Sequence, residues 1–452
     1  MTSPQGSLER LAAAAGGWDL PPVVLAGTVD AATFAERSIR GLSEHASLGD
    51  QLAISHGDGS ALAEIIQIDR ERCIAALYDR RGSAFLGASA ILRGPFTLRP
   101  HQSWQGRAID ALGRPVDGEG PLLMGEARSC DADPPPAVCR KPLVRPLRTG
   151  VKAIDLFAPL VEGQRIGIFS GSGVGKSTLL SMLAQNAEVD VVVAALVGER
   201  GREVGELLSG PLAKHRDRTI AVVSTGDETA PMRRQAAKTA VTVAEYFREA
   251  GARVLLLVDS MTRAAHAMRD VALSAGEPPV ARGYPPSVFS ELIRLAERSG
   301  HVGERGSITA IFCVLVDGDD LDDPVADTAR GTLDGHIVLS RNLAEAGRFP
   351  AIDPLASLSR LAHVAFTREE AELSRHLRRL IARYEDTRDL RLLGAHKPGA
   401  DPELDRAVEL VPTIRDALLQ TPADPPTKDA FSELAAVLAG RKGPPGGEQV
   451  QA

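Results

Sequence analysis

The 452-residue sequence predicts an α/β chain built in three parts, and three observations carry that prediction. Between about residues 20 and 96, short β-like segments such as LAEIIQI, CIAALYD and ASAIL are separated by Gly, Asp and Ser turns, the spacing of a small barrel or sandwich. From RIGIFS (165–170) to GHIVLS (335–340), wholly apolar strand-like runs alternate with helical stretches, the mark of a parallel sheet covered on both faces. After residue 367 the strand patterns stop and a helical period takes over.

Taken in order, residues 1–20 form a separate leading segment. Its SLERLAAAAGG sets an acid beside a lone arginine and has only a short alanine run, which is not a secretion signal. Residues 21–96 are the β module. DADPPPAVCRKP (131–142) reads as a stiff linker or loop. The core spans 97–366, with strands expected at RIGIFS, DVVVAALVG, TIAVVS, RVLLLVDS, ITAIFCVLVDG and GHIVLS. The longest apolar stretch, ITAIFCVLV (308–316), is half of what a membrane span requires. In 367–440, Leu373, Leu377, Leu380, Ile381 and Tyr384 form one apolar helix stripe, with Gly394 placed to end that helix. Asp401-Pro402-Glu403 starts another helix with an N-cap, a first-position proline and an early carboxylate. Three helices or so close the chain, and the tail 441–452 has too little apolar content to order itself.

Composition narrows the function classes. Lys and Arg total 52 against 59 Asp and Glu, a net charge of −7, which argues against broad binding to nucleic acid or anionic lipid through bulk charge. Cys73, Cys130, Cys139 and Cys313 show no C-x-x-C pairing and no histidines at metal spacing, so they read as reduced structural thiols of a cytosolic protein.

One stretch carries chemistry: GIFSGSGVGKSTLL (167–180). It matches the phosphate-binding P-loop G-x-x-x-x-G-K-[ST] except that Ser170 stands at the first glycine position. A strand leads into the loop and a helix leaves it, so the backbone N–H groups of Gly171, Ser172, Gly173, Val174 and Gly175 can turn toward phosphate, with Thr178 in the helix's first turn. Lys176 would meet the β and γ phosphates and the Ser177 hydroxyl would ligate Mg²⁺. A small residue suits the first position if its φ is negative. Asp259 ends the apolar run RVLLLVDS where a Walker B carboxylate would stand. Glu199 follows another strand at the carboxyl edge, where ligands collect in open α/β sheets; from position alone it reads equally as a water-activating carboxylate or a solvated glutamate.

Longer motifs extend this reading. GRAIDALGRPVDG (106–118), GERGREV (198–204), GEPPVARGYPPSVFSEL (276–292), DGDDLDDPVADTARGTLDGHIVLSR (317–341) and GRFPAIDPLASLSR (347–360) resemble, in order and over about residues 20–440, the flagellar protein-export ATPases. That family is related to the catalytic β subunit of rotary ATP synthases. The resemblance implies an N-terminal β-barrel, a RecA-like core and a C-terminal helical domain. It implies ATP and Mg²⁺ as ligands, with Lys176 and Ser177 on phosphate and metal, Glu199 on the attacking water and Asp259 as Walker B. Arg200 and Arg263 match positions near the phosphates, Phe349 an aromatic that stacks on adenine, and Arg360 an arginine finger reaching a neighbouring subunit. Also implied are a ring-shaped homohexamer, a stator-like regulator on residues 1–20, a central coiled-coil stalk protein, export chaperones and substrates, and a membrane export gate. The expected location is the cytoplasm, peripheral to the inner-membrane export apparatus.

Four rival readings fit the sequence less well. An RNA translocase would need aromatic stacking platforms and a basic groove, but residues 21–95 hold nine acidic and seven basic residues and only Phe34, Tyr78 and Phe85 as aromatics. A nucleotide-holding regulatory subunit has no need of Glu199. GYPPSVF and the short helical end disfavour a synthase β subunit. A virulence-type secretion ATPase shares nearly every motif, and the C-terminal RYEDTRDLRLLGAHKPGADPELDRAVELVP inclines the reading toward the flagellar branch.

Overall fold

The computed structural model describes residues 24–440 apart from 58, 80–84, 211–212, 304–305 and 317–322. The expected leading segment (1–20) and tail (441–452) lie outside the described residues. The chain divides into two compact units, Met1–Pro95 and Phe96–Ala452.

In the first unit, β1 (Ala26–Ala32), β2 (Glu36–Arg40), β3 (Asp50–His56), β4 (Gly59–Ile68), β5 (Arg72–Leu77) and β6 (Ser89–Pro95) close into a barrel in the order β1-β2-β5-β4-β3-β6. The antiparallel β1–β6 pairing decides barrel over sandwich, and closure leaves no sheet edge exposed. Val29, Ile39, Leu52, Ile54, Ile65 and Leu77 fill the interior. Gly27 is needed where β1 passes β2, because a Cβ there would lie 2.5 Å from the Arg40 carbonyl oxygen.

The second unit is built on one sheet. The strands on its main path are β7 (Ala108–Asp110), β8 (Arg165–Ser170), β9 (Val191–Glu199), β10 (Thr219–Thr225), β11 (Arg253–Asp259), β12 (Ser307–Leu315), β13 (Gly335–Leu339) and β14 (Leu358–Ser359), and a two-residue strand, Gly300–His301, pairs antiparallel with β12 off that path. They lie in the order β14-β13-β8-β12-β11-β9-β10-β7, parallel from β13 to β7, with β14 antiparallel at one edge. All six runs expected as strands are strands. β9 is buried at all nine positions, as a strand covered on both faces must be. The covering helices include α1 (Lys176–Asn186), α2 (Gly201–Ser209), α3 (Ala230–Glu249), α4 (Met261–Ser274), α5 (Pro286–Glu297) and α6 (Pro324–Thr332). Arg218 ties down the end of α1 by donating to the carbonyls of Ala184, Gln185 and Val189 at 2.8–2.9 Å. Arg298, just past α5, is buried and clasps Glu245 of α3 through two bonds of 3.0 and 2.5 Å while also donating to the Cys130 carbonyl.

The proline-rich passage is a pinned loop rather than a spacer. Lys238 pairs with Asp131 at 2.6 Å, Arg294 with Asp133 at 3.0 Å, and Arg140 donates to the Glu297 carbonyl. All four cysteines are free thiols, Cys73, Cys130 and Cys313 buried and Cys139, in this loop, exposed.

The chain closes with α7 (Arg368–Asp386), a short helix Arg388–Leu392, α8 (Pro402–Ala417) and α9 (Ala430–Leu438). Leu377, Leu380 and Ile381 of α7 bury against Val411, Ile414, Phe431 and Leu434, and onto Leu156 and Phe157 of the core. Asp401 caps α8 by accepting from the N–H groups of Glu403 (3.0 Å) and Leu404 (3.1 Å), as expected. Gly394 does not end α7. The helix stops at Thr387, whose hydroxyl turns back onto the Arg383 carbonyl, and Gly394, at φ 68°, follows the next short helix.

Candidate active site

β8 delivers the chain, still buried at Ser170, to the glycine loop. Gly173 and Gly175 adopt φ of 79° and 91°, the left-handed region in which a side chain is strained. Arg282 is the one non-glycine residue with positive φ among the described residues, so Ser170 is unstrained and its backbone has no need of the expected glycine. Val174 is buried and anchors the loop, while Ser172, Ser177 and Thr178 are exposed. No side chain caps α1, which leaves its first N–H groups for a ligand, and the helix dipole favours an anion there.

Behind the loop the carboxyl ends of β9 and β11 bring three charges together. Lys176 donates to Asp259 in a very close pair and lies 3.3 Å from Glu199 Oε1. Burial works against the Lys176 charge, but Asp259, together with Cys313 and Glu199, pushes the ammonium up to about 12. Glu199 is 3 % exposed and lies 3.2 Å from Arg263, which also donates to the Gly198 carbonyl. Burial, reinforced by Asp259 and a hydrogen bond with Glu203, pushes the Glu199 carboxyl up to about 7 against the pull of Lys176 and Arg263.

Asp259 is buried, and its Oδ2 has no hydrogen-bond partner among the described residues. A buried carboxylate oxygen left in this way is expensive unless something pairs it. With the uncapped helix start and the exposed Ser177 hydroxyl, the donor set fits a magnesium–phosphate pair.

Two further residues stand where a nucleotide would use them or not at all. The Phe349 ring packs over Gly175, so close that a Cβ on that glycine would lie 3.2 Å from it, and it remains 40 % exposed. Arg200 is not brought to the cluster: its side chain is 84 % exposed and pairs with Glu203 at 3.4 Å. Glu203 was not legible from sequence, because Glu199 ends a strand and Glu203 lies in the helix after it, so no helical spacing links the two.

Arg360 stands elsewhere. Its N–H donates to the Asp334 carbonyl, and the Asp334 N–H donates to the Arg165 carbonyl at the start of β8. The glycine loop leaves the far end of β8, a strand of six residues, so Arg360 and its own chain's loop are separated by on the order of 16 Å of strand. The Arg360 guanidinium instead donates to the Arg330 carbonyl at 3.0 Å and is exposed.

A glycine cradle between strand and helix, with carboxylates held behind it at strand ends, puts the chain in the class of P-loop nucleotide hydrolases. A family model for the ATP synthase alpha/beta nucleotide-binding domain matches residues 150–359, and one for the type III secretion EscN ATPase C-terminal domain matches 366–436. The flagellum-specific ATP synthase of Agrobacterium fabrum is 49 % identical over 96 % of this chain and 92 % of its own. The SPI-2 type 3 secretion system ATPase of Salmonella typhimurium is 46 % identical over 80 % of this chain and 84 % of its own. A solved structure of assembled EscN in complex with its central stalk EscO, from enteropathogenic E. coli, superposes with a TM-score of 0.84 at 39 % identity, covering 91 % of this chain and 100 % of that one. The chain belongs to the flagellum-specific ATP synthase and type III secretion ATPase family, P-loop enzymes that hydrolyse ATP.

Proposed function

We propose that the chain hydrolyses Mg–ATP as a ring-shaped homohexamer and so energises flagellar protein export. The observation that carries the chemistry is Glu199, a buried carboxylate held beside the P-loop lysine with a pKa near neutrality. In that position it can accept a hydrogen bond from a water facing the γ-phosphate and polarise it for in-line attack. Lys176 exchanges Asp259 for the β and γ phosphate oxygens when nucleotide enters, and the N–H groups at the start of α1 hold the phosphate tail. Magnesium, held by Ser177 and Asp259, would supply charge neutralisation between the phosphates. Arg263 keeps Glu199 oriented. Phe349 offers its exposed face to adenine.

The ring follows from Arg360. It stands at the opposite end of the sheet from its own glycine loop, so it serves as an arginine finger only in a neighbour's site, a contribution of about 10³-fold or more in rate. One chain carries both Glu199 and Arg360, so a ring of identical subunits with equivalent sites is the simplest closed assembly. The EscN complex supports self-assembly around a stalk, and the flagellar relative's coverage of 96 % of this chain favours the flagellar over the injectisome branch. Residues 1–20 would bind a stator-like regulator, and export chaperones, substrates and a membrane gate complete the partners. No helix among the described residues is long and apolar enough to cross a membrane, in keeping with cytoplasmic work and peripheral docking.

The test is specific ATPase activity against protein concentration in Mg²⁺, with Glu199→Gln alongside. Activity per chain should rise steeply with concentration and vanish in the variant. Flat activity removes the shared site, and an active variant removes Glu199 from the chemistry.

A further inference from the structure

Three pieces of chain meet around α1 in a way that the catalytic cluster does not use. Phe349 packs on Gly175 at the start of the helix. Gly150 packs on its end, where a Cβ would lie 2.7 Å from Asn186 Cβ and 2.9 Å from Pro426 Cβ. Gln420, in the connection between α8 and α9, joins the two. Its side-chain amide donates to the Gly150 carbonyl at 2.8 Å and accepts from the Lys152 N–H at 3.1 Å. Its backbone N–H donates to the Phe349 carbonyl at 3.0 Å.

Gln420 is 3 % exposed, and both ends of its amide are satisfied by backbone groups of matching sense, so the amide has one orientation. Gly150 is fixed from its other side by Asp155, whose carboxylate accepts from the Thr149 and Gly150 N–H groups. Phe349's neighbour Arg348 is tied to Asp416 of α8 at 3.2 Å.

We propose that Gln420 is a positioning residue for the nucleotide base: it sets the height of the Phe349 ring over the P-loop, and so makes adenine affinity depend on the C-terminal helices. This rests on the reading that Phe349 stacks on adenine. The interaction is selective by construction, because among the described residues none of the Gln420 hydrogen bonds goes to the phosphate cradle or to Glu199 and Asp259.

The experiment uses the full chain and two probes, Mg–ATP and base-free Mg–tripolyphosphate, on Gln420→Ala, Phe349→Ala and the double variant. Gln420→Ala should raise KM for ATP about tenfold, the effect of losing one well-placed buried hydrogen-bonding group, while kcat stays within about twofold and tripolyphosphate affinity is unchanged. Phe349→Ala should do the same, and the double variant should be no worse than Phe349→Ala, since both act through one ring. If Gln420→Ala leaves KM unchanged while Phe349→Ala raises it, or if the two effects simply add, the proposal falls and the base platform stands. If Phe349→Ala leaves KM unchanged, the platform itself falls and the proposal with it. Should Gln420→Ala not fold, the isosteric Gln420→Glu keeps the acceptor for Lys152 but sets an oxygen against the Gly150 carbonyl. It should raise KM in the same sense, and an unchanged KM overturns the proposal.

Discussion

At the residue scale, the proposed role of Glu199 ties both rate and stability to one proton. Its folded pKa of about 7 lies above the carboxylate value of 4.5 in the unfolded chain. In the proposed mechanism the carboxylate form polarises water, so kcat/KM should climb as pH rises through about 7, and Glu199→Gln should abolish that rise and lower the rate by on the order of 10²-fold or more. A pH–rate profile on the two proteins checks this. Stability runs the other way. A group whose folded pKa is raised contributes stability that is present below its unfolded pKa and lost as pH rises through the folded one. Glu199→Gln should therefore gain in Tm relative to wild type between pH 5 and pH 8, as thermal melts at the two pH values would read.

At the element scale, burial decides which residues hold the molecule together. Arg298 joins α3 and α5 through a buried carboxylate, so Arg298→Ala leaves Glu245 without the guanidinium hydrogen-bonded to it, at a cost of about 3–5 kcal/mol. Leu380 is 1 % exposed in the C-terminal core, and Leu380→Ala should cost about 2–5 kcal/mol. Urea unfolding measures both. The same physics explains what the sequence disclosed. β8 to β13 were legible because strands covered on both faces are continuously apolar, and α8 was legible through Asp401 and Pro402. β7 and β14, three and two residues long, are too short to make a pattern, and Thr387 stops α7 through a local hydroxyl bond that periodicity does not register. The glycine loop, Glu199 and Asp259 were visible as motifs at strand ends. Gln420 was not, since its partners lie 71 and some 270 positions away in sequence and nothing local marks it. Arg200 shows the opposite failing, a motif position whose side chain turns to solvent.

At the scale of the whole molecule, the proposal gives one chain two halves of two different sites. The carboxyl edge of the sheet carries Lys176, Glu199 and Asp259, while Arg360 stands at the amino edge, tied through Asp334 to the start of β8. On the proposed reading, a site becomes complete only where two copies meet, which would make assembly itself the activating event. Complementation between two inactive variants tests this most directly: Glu199→Gln, which keeps Arg360, is mixed with Arg360→Ala, which keeps Glu199. Each alone should be nearly inactive. In randomly mixed rings at equal amounts, about one interface in four joins an intact Glu199 to an intact Arg360, so activity should return to roughly a quarter of wild type. If the mixture stays as inactive as its parts at every ratio, although the chains assemble together, Arg360 does not act on a neighbour and the shared-site ring is wrong.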